Sequence, residues 1–180
     1  MHDPTKKFFN HLFRTLIFAV LLSTSALAQT SSTYEGDPVT SIVVKKSDRK
    51  MFLLHHNKIL RQYSIGLGFS PEGHKKIEGD GKTPEGKYFI DRKNPNSKFH
   101  LSLGISYPNA HDKAHAAKLG KSPGGDIFIH GHQDLSARLK RSWKYLFNRD
   151  WTAGCIAVTD SEMTEIYTMI DVGTPIFIQP

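Results

Sequence analysis

The chain has 180 residues, enough for one domain with a substantial core and too few for two domains of ordinary size. Its formal net charge is +7, and no segment has the pattern of a nucleic-acid-binding module. Cys155 is the single cysteine, which excludes an internal disulfide. We therefore expect one basic domain whose lone thiol either has a chemical task or packs as an inert apolar group.

The first 28 residues have the pattern of a signal peptide. Three basic residues precede an apolar run from Leu16 to Leu22, and Ala26-Leu27-Ala28 is a small-x-small cleavage site. The apolar run is shorter than the ~20 residues that a membrane span needs. We predict cleavage before Gln29, a periplasmic location and no stable membrane anchor. The remaining net charge of +5 suits an anionic polymer as neighbour, although solvated lysines are the commoner cause.

Residues 29–39 are predicted to be a flexible leader and residues 40–180 a single folded domain. Short apolar or alternating runs in this domain predict strands that are separated by polar turns. A turn is expected over Asp91–Lys98. The predicted strands are Ser41–Lys45, Met51–His55, Ile59–Leu67, Tyr88–Ile90, His100–Ser106, Ile127–Ile129, Ile156–Val158 and Thr174–Ile178.

Three segments have helical patterns. Ala110–Leu119 predicts a short helix, and the capping-box spacing of Thr159 and Glu162 predicts a helix from about Asp160 to Ile170. Leu135–Phe147 has apolar residues at helical spacing with basic residues between them, which indicates a surface helix or a lid over Cys155. The fold class expected is mainly β, a β-rich α+β domain built as a bent mixed sheet or sandwich with a few short helices.

The stretch from Ile127 to Val158 carries the chemistry. Its two apolar runs flank His130-Gly131 and Gly154-Cys155, so neighbouring strands would place an imidazole beside a thiol. A thiol is mostly protonated at neutral pH and needs a base, for which His130 is the candidate. Gly154 permits a sharp turn, and the N–H groups of Gly154 and Cys155 could stabilise an oxyanion.

These motifs, His130-Gly131 and Thr152-Ala153-Gly154-Cys155-Ile156, together with the loop Lys82–Tyr88, resemble the L,D-transpeptidase catalytic domain over Ser41 to Ile178. The resemblance implies a β-rich fold and action on peptidoglycan stem peptides. Cys155 would attack the carbonyl of the third stem residue and expel the terminal D-Ala, while His130 takes the thiol proton. We expect a monomer without cofactor or metal.

The sequence departs from the family pattern Ser-His-Gly-Cys-apolar-Arg at three positions. Thr152 stands at the Ser position, Ala153 replaces the His, and Ala157 replaces an Arg that would help to hold a substrate carboxylate. Thr152, Gly154 and Gly131 are therefore the candidates for oxyanion or substrate contacts beside the Cys155 nucleophile.

Several functions remain open. Transpeptidation is favoured, but an L,D-carboxypeptidase, or a hydrolase of crosslinks or of wall-attached protein, would use the same Cys155 thioester. A metal-dependent wall hydrolase is a second class, since the ten histidines include His111, His115, His130 and His132, although no H-E-x-x-H motif is present. A noncatalytic wall-binding module is the third.

Overall fold

The computed structural model describes residues 34–132 and 149–180. The predicted signal peptide, the first part of the leader and the predicted Leu135–Phe147 helix lie outside these residues. The described chain forms β1 (Ser41–Lys45), β2 (Lys50–His55), β3 (Lys58–Ser64), β4 (Gly86–Ser97), β5 (His100–Ile105), α1 (Ala110–Lys118), β6 (Phe128–His132), β7 (Ile156–Thr159), α2 (Asp160–Met169) and β8 (Pro175–Gln179).

The strands form one mixed sheet in the order β3-β2-β1-β8-β4-β5-β6-β7. The pairs β1–β8 and β6–β7 are parallel, and the other neighbours are antiparallel. After β3 the chain returns to the far edge, where Gly66 exchanges backbone hydrogen bonds of 2.8 and 2.9 Å with Ala157. The mainly β fold class with few helices is therefore confirmed.

Buried and partly exposed residues alternate along the strands, and the buried ones form the core. The inward positions of β1 and β2 are fully buried, while the residues between them stay partly exposed. Apolar residues from every strand and from α2 meet in one cluster. Its largest fully buried members include Tyr88, Ile42, Met51, Leu53, Ile90, Leu103, Ile129, Ile156 and Met163.

Two strand predictions need correction. The turn expected over Asp91–Lys98 is instead the second half of β4, which pairs with β5 through Lys93↔Leu103 and Asn94↔Ser102. The local Asn and Pro content predicted a turn, but long-range pairing decides the conformation. The strand expected over Ile59–Leu67 ends at Ser64, because the chain then leaves β2 and Gly66 pairs with Ala157, two residues after Cys155.

The capping prediction for α2 is confirmed. Thr159 is the N-cap, its hydroxyl accepts from the Glu162 N–H at 3.2 Å, and the Glu162 carboxylate accepts from the Thr159 N–H at 2.8 Å. This places the helix directly after β7, and its buried face packs against β5, β6 and β7. In the described part of the chain, no helix is long and apolar enough to cross a membrane.

Candidate active site

Cys155 and His130 line the same cavity, which has a volume of about 410 Å³. The register of the parallel pair β6–β7 explains this. Ile129 lies opposite Ile156, His130 follows Ile129 in β6, and Cys155 directly precedes Ile156. The hairpin of β4 and β5 forms the opposite wall. It contributes Asn94, Asn96, Ser97, Lys98, Phe99 and Ser102, and Asp126 and Phe128 complete the lining.

The Cys155 thiol lies beside the residues that directly precede β6. Its sulfur lies 3.5 Å from the carbonyl oxygen of Asp126, to which the S–H donates. Burial raises the pKa of Cys155, and the Phe128 N–H and the Lys75 ammonium only partly oppose this. The resting sulfur is therefore a protonated thiol that needs a base before it can attack a carbonyl.

His130 has the properties of such a base. It is 4% exposed, its ring stacks on Phe99 with centroids 4.5 Å apart, and Trp151 meets its edge at 5.9 Å. Burial lowers the pKa of His130, while a hydrogen bond to Gly131 partly opposes the shift. The imidazole is therefore neutral at physiological pH and can accept a proton.

The Gly131 carbonyl fixes the tautomer of His130. The distance from His130 Nδ1 to this oxygen is 2.5 Å, and because a carbonyl can only accept, Nδ1 carries the hydrogen. The lone pair then lies on Nε2, the nitrogen that a general base uses. Gly131, a candidate for a substrate contact, is buried in the structure, and its carbonyl is the partner of His130 Nδ1.

The turn before Cys155 is held by Thr152. The Thr152 hydroxyl donates to the Cys155 carbonyl at 2.7 Å and accepts from the Gly154 N–H at 3.1 Å. The Gly154 N–H and the Thr152 hydroxyl, both candidates for oxyanion or substrate contacts, thus bind each other, and Thr152 is buried.

Gly154 must be glycine for two reasons. Its φ is +140°, a conformation that residues with a side chain rarely adopt. A Cβ at this position would also lie 2.7 Å from the main-chain carbonyl oxygen of Lys82. The turn before Cys155 therefore packs directly against the main chain of the Lys82–Tyr88 loop.

Two buried lysines stiffen this loop. Lys46 donates to the Gly73 and Thr83 carbonyls at 2.7 and 3.0 Å and to the Glu85 carboxylate at 2.7 Å. Lys75, which is 3% exposed, pairs with Asp80 at 2.9 Å. Sequence reasoning missed both, because a lysine in a polar loop gives no signal that it is buried.

An ion pair anchors the other side of the turn. The Arg49 guanidinium donates to both oxygens of Asp150 at 2.8 to 3.1 Å, and Asp150 Oδ1 accepts from the Leu67 N–H at 3.0 Å. The sequence left open whether Asp150 orients His130. In the structure the Gly131 carbonyl is the partner of His130 Nδ1, whereas Asp150 binds Arg49 and Leu67 at the start of the segment that leads to Cys155.

Of the histidines considered for a metal site, His130 lines the cavity and the other three are not part of its lining. His111 and His115 lie on α1, which packs its buried Asp112 against His74 at 3.1 Å. Across residues 34–132 and 149–180, no three His, Cys, Asp or Glu side chains are grouped as metal ligands would be.

Comparison with known proteins defines the class. The fold is similar to that of the helical cell shape determining protein Pgp2 from Campylobacter jejuni, with a TM-score of 0.57 and 30% identity over 81% of this chain and 49% of that one. Bd1075 of Bdellovibrio bacteriovorus follows with a TM-score of 0.54 and 26% identity, over 81% of this chain and 49% of that one.

The model of the L,D-transpeptidase catalytic domain matches residues 39–178. The chain belongs to that family. A curated relative, "Putative L,D-transpeptidase YafK" of Escherichia coli K12, is 30% identical over 174 residues, which cover 91% of this chain. The chain spans 61% of that relative's length.

Proposed function

We propose that this chain is an exported cysteine acyltransferase that acts on peptidoglycan stem peptides, an L,D-transpeptidase with Cys155 as nucleophile and His130 as general base. The observation that carries the proposal is the shared cavity of a protonated thiol and a neutral imidazole. Membership of the L,D-transpeptidase catalytic domain family supports the substrate class.

The first half of the reaction forms a thioester. His130 Nε2 takes the thiol proton as the sulfur attacks the carbonyl carbon of the third stem residue. The C–N bond to the terminal D-Ala breaks, and the leaving amine takes the proton from His130. The second half reverses these steps, since an acceptor amine gives its proton to His130 as it attacks the thioester and releases Cys155.

The oxyanion formed in each half needs a donor. Because the Gly154 N–H is bound to the Thr152 hydroxyl, we assign the role to the N–H of Cys155 itself. Lys98 on the cavity wall would meet a stem carboxylate in place of the Arg that Ala157 replaces, and Asp126 would meet a stem amine.

The experiment is mass spectrometry of the purified protein with a disaccharide-tetrapeptide, with and without a free D-amino acid. We expect a Cys155-bound thioester and a dimer or D-amino-acid exchange product. Tripeptide alone would show that water resolves the thioester, which is the carboxypeptidase reaction. Crosslinked sacculi and wall-bound protein as substrates test the hydrolase alternatives.

Matched variants make the result specific. Cys155→Ala should lose all products, whereas Ser161→Ala, an exposed change on the nearby α2, should keep them. Full turnover by Cys155→Ala would contradict the mechanism. Binding to sacculi without any turnover by the wild type would instead support the wall-binding module.

Export is tested separately. N-terminal sequencing of the protein from the periplasmic fraction should begin at Gln29. Retention of Met1 in the periplasmic protein, or its absence from that fraction, would contradict the predicted signal peptide.

A further inference from the structure

Asp160 has a buried carboxylate oxygen that needs an explanation. The residue is the first of α2 and follows directly after β7. Its Oδ1 atom is buried, and within residues 34–132 and 149–180 it has no hydrogen-bond partner. A buried carboxylate oxygen without a donor is unfavourable, so such atoms are rare unless they serve another purpose.

The carboxylate packs against the residue that orients the base. A Cβ on Gly131 would lie 2.3 Å from Asp160 Oδ1 and 2.9 Å from the Phe99 carbonyl oxygen. The parallel register produces this contact, because β6 pairs His132 with Thr159, the residue before Asp160. Asp160 Oδ1 is thus in contact with the Cα of the residue whose carbonyl accepts from His130 Nδ1.

We propose that Asp160 is a positioning residue for the His130 base: its carboxylate stabilises the imidazolium that forms when His130 takes the Cys155 proton, and the contact of its buried Oδ1 atom holds Gly131 in place. In the resting state the imidazole is neutral, and Asp160 Oδ1 has no donor in the described part of the chain. When the proton reaches His130, a positive charge appears on the far side of Gly131. The carboxylate oxygen without a donor then has a partner charge.

The other charged groups near His130 are less suited to stabilise its imidazolium. Burial and His132 lower the pKa of His130, and Asp160 acts in the opposite direction. Lys98 and Asp126 line the cavity beside Cys155, but the Asp126 carboxylate is 88% exposed and pairs with Arg92 at 3.0 Å. Water and Arg92 therefore screen Asp126. Asp160 is only partly exposed, and its Oδ1 atom, which lies against Gly131, is buried, so its charge is screened less.

A helix N-terminus also favours a carboxylate, so this structural role must be separated from the proposed one. Glu162 lies in the same first turn and binds the Thr159 N–H, and it caps the helix without contacting Gly131. Glu162→Gln removes the same charge from the same helix end. It is therefore the matched control for Asp160→Asn.

The test is an NMR titration of ¹³C-histidine-labelled protein, with the His130 signal assigned from a His130→Gln sample. We expect Asp160→Asn to lower the pKa of His130 by about one unit and Glu162→Gln to leave it in place. Asp160→Ser, a smaller neutral residue that suits a helix start, should repeat the shift if the Asn variant does not fold. An unchanged His130 pKa in the Asp160 variants, or an equal shift in Glu162→Gln, would overturn the proposal.

The inference rests on the proposed role of His130 as base, but the titration needs no substrate. If Cys155 is acylated, the acid limb of its acylation rate should move to lower pH in Asp160→Asn, by the same amount as the NMR pKa. A shifted His130 pKa in a protein that no substrate acylates would support the Asp160 interaction and count against the proposed function.

Discussion

The sulfur of Cys155 lies 3.5 Å from the main-chain oxygen of Asp126, a residue whose backbone is left-handed with φ of 52°. The carbonyl can only accept, so this contact favours the S–H form over the thiolate. Together with burial, it keeps Cys155 as a neutral thiol. The site therefore differs from one that stores a thiolate–imidazolium pair, and the difference can be measured.

The pH dependence of alkylation tests this. Because burial raises the pKa of Cys155, the rate of its reaction with iodoacetamide should rise with pH through a midpoint above the ordinary value of about 8.5. Intact-mass measurement gives the rate, and Cys155 is the single thiol in the chain. A midpoint below pH 7 would show a stored ion pair and contradict the neutral site.

His130→Gln should lower the rate of Cys155 acylation by about 10² to 10⁴-fold, because the thiol loses its base. Alkylation above the thiol pKa should change little, since no base is then needed. In the wild type the acylation rate should fall only below the ordinary histidine value of about 6.5, because burial lowers the pKa of His130. Undiminished acylation in the Gln variant would remove His130 from the mechanism.

Gly154→Ala should lower the free energy of unfolding by about 3 kcal/mol and slow acylation of Cys155. Its φ of +140° and the Lys82 carbonyl oxygen 2.7 Å from the added Cβ both oppose the substitution.

Gly120→Ala is the control for this change, because its φ is also positive, at +62°, but nothing lies within 4 Å of the added Cβ. It should cost about 1 kcal/mol and leave the acylation rate unchanged. Denaturant unfolding measures the free energy of unfolding of both variants. Equal losses at the two positions would show that the clash with the Lys82 carbonyl does not contribute to the cost of Gly154→Ala.

The Arg49–Asp150 pair should contribute a coupling energy of about 1.5 to 3 kcal/mol, because both side chains are mostly buried and several hydrogen bonds join them. A double-mutant cycle with Arg49→Met and Asp150→Asn measures it. The same cycle on the exposed Lys58–Asp37 pair should give a clearly smaller value. Similar couplings would mean that the Arg49–Asp150 pair does not anchor the segment before Cys155.

Local signals predicted the parts of the fold that depend on local chemistry. The β1–β2 hairpin, the capping box of α2 and the strands on either side of Ile129↔Ile156 were all indicated by short patterns. The second half of β4 was missed, because its Asn and Pro residues resemble a turn and only the partner strand β5 makes them extended.

The sequence indicated Cys155 and His130, two of the residues that line the cavity, but not the groups that hold them in place. The Arg49–Asp150 pair joins positions 101 residues apart, and no local sequence pattern predicts such a contact. Phe99, which stacks on His130, lies near the end of a segment predicted as a turn. The Gly131 carbonyl that fixes the tautomer is a main-chain atom, and the residue type gives no information about its direction.

The position of β8 in the sheet has a consequence for biosynthesis. It is the last of the eight strands to leave the ribosome, yet it lies between β1 and β4 and pairs with both. Until it emerges, β3-β2-β1 and β4 to β7 have no strand to connect them. Completion of the sheet therefore waits for pairings between distant parts of the chain, and this non-local closure makes folding slow.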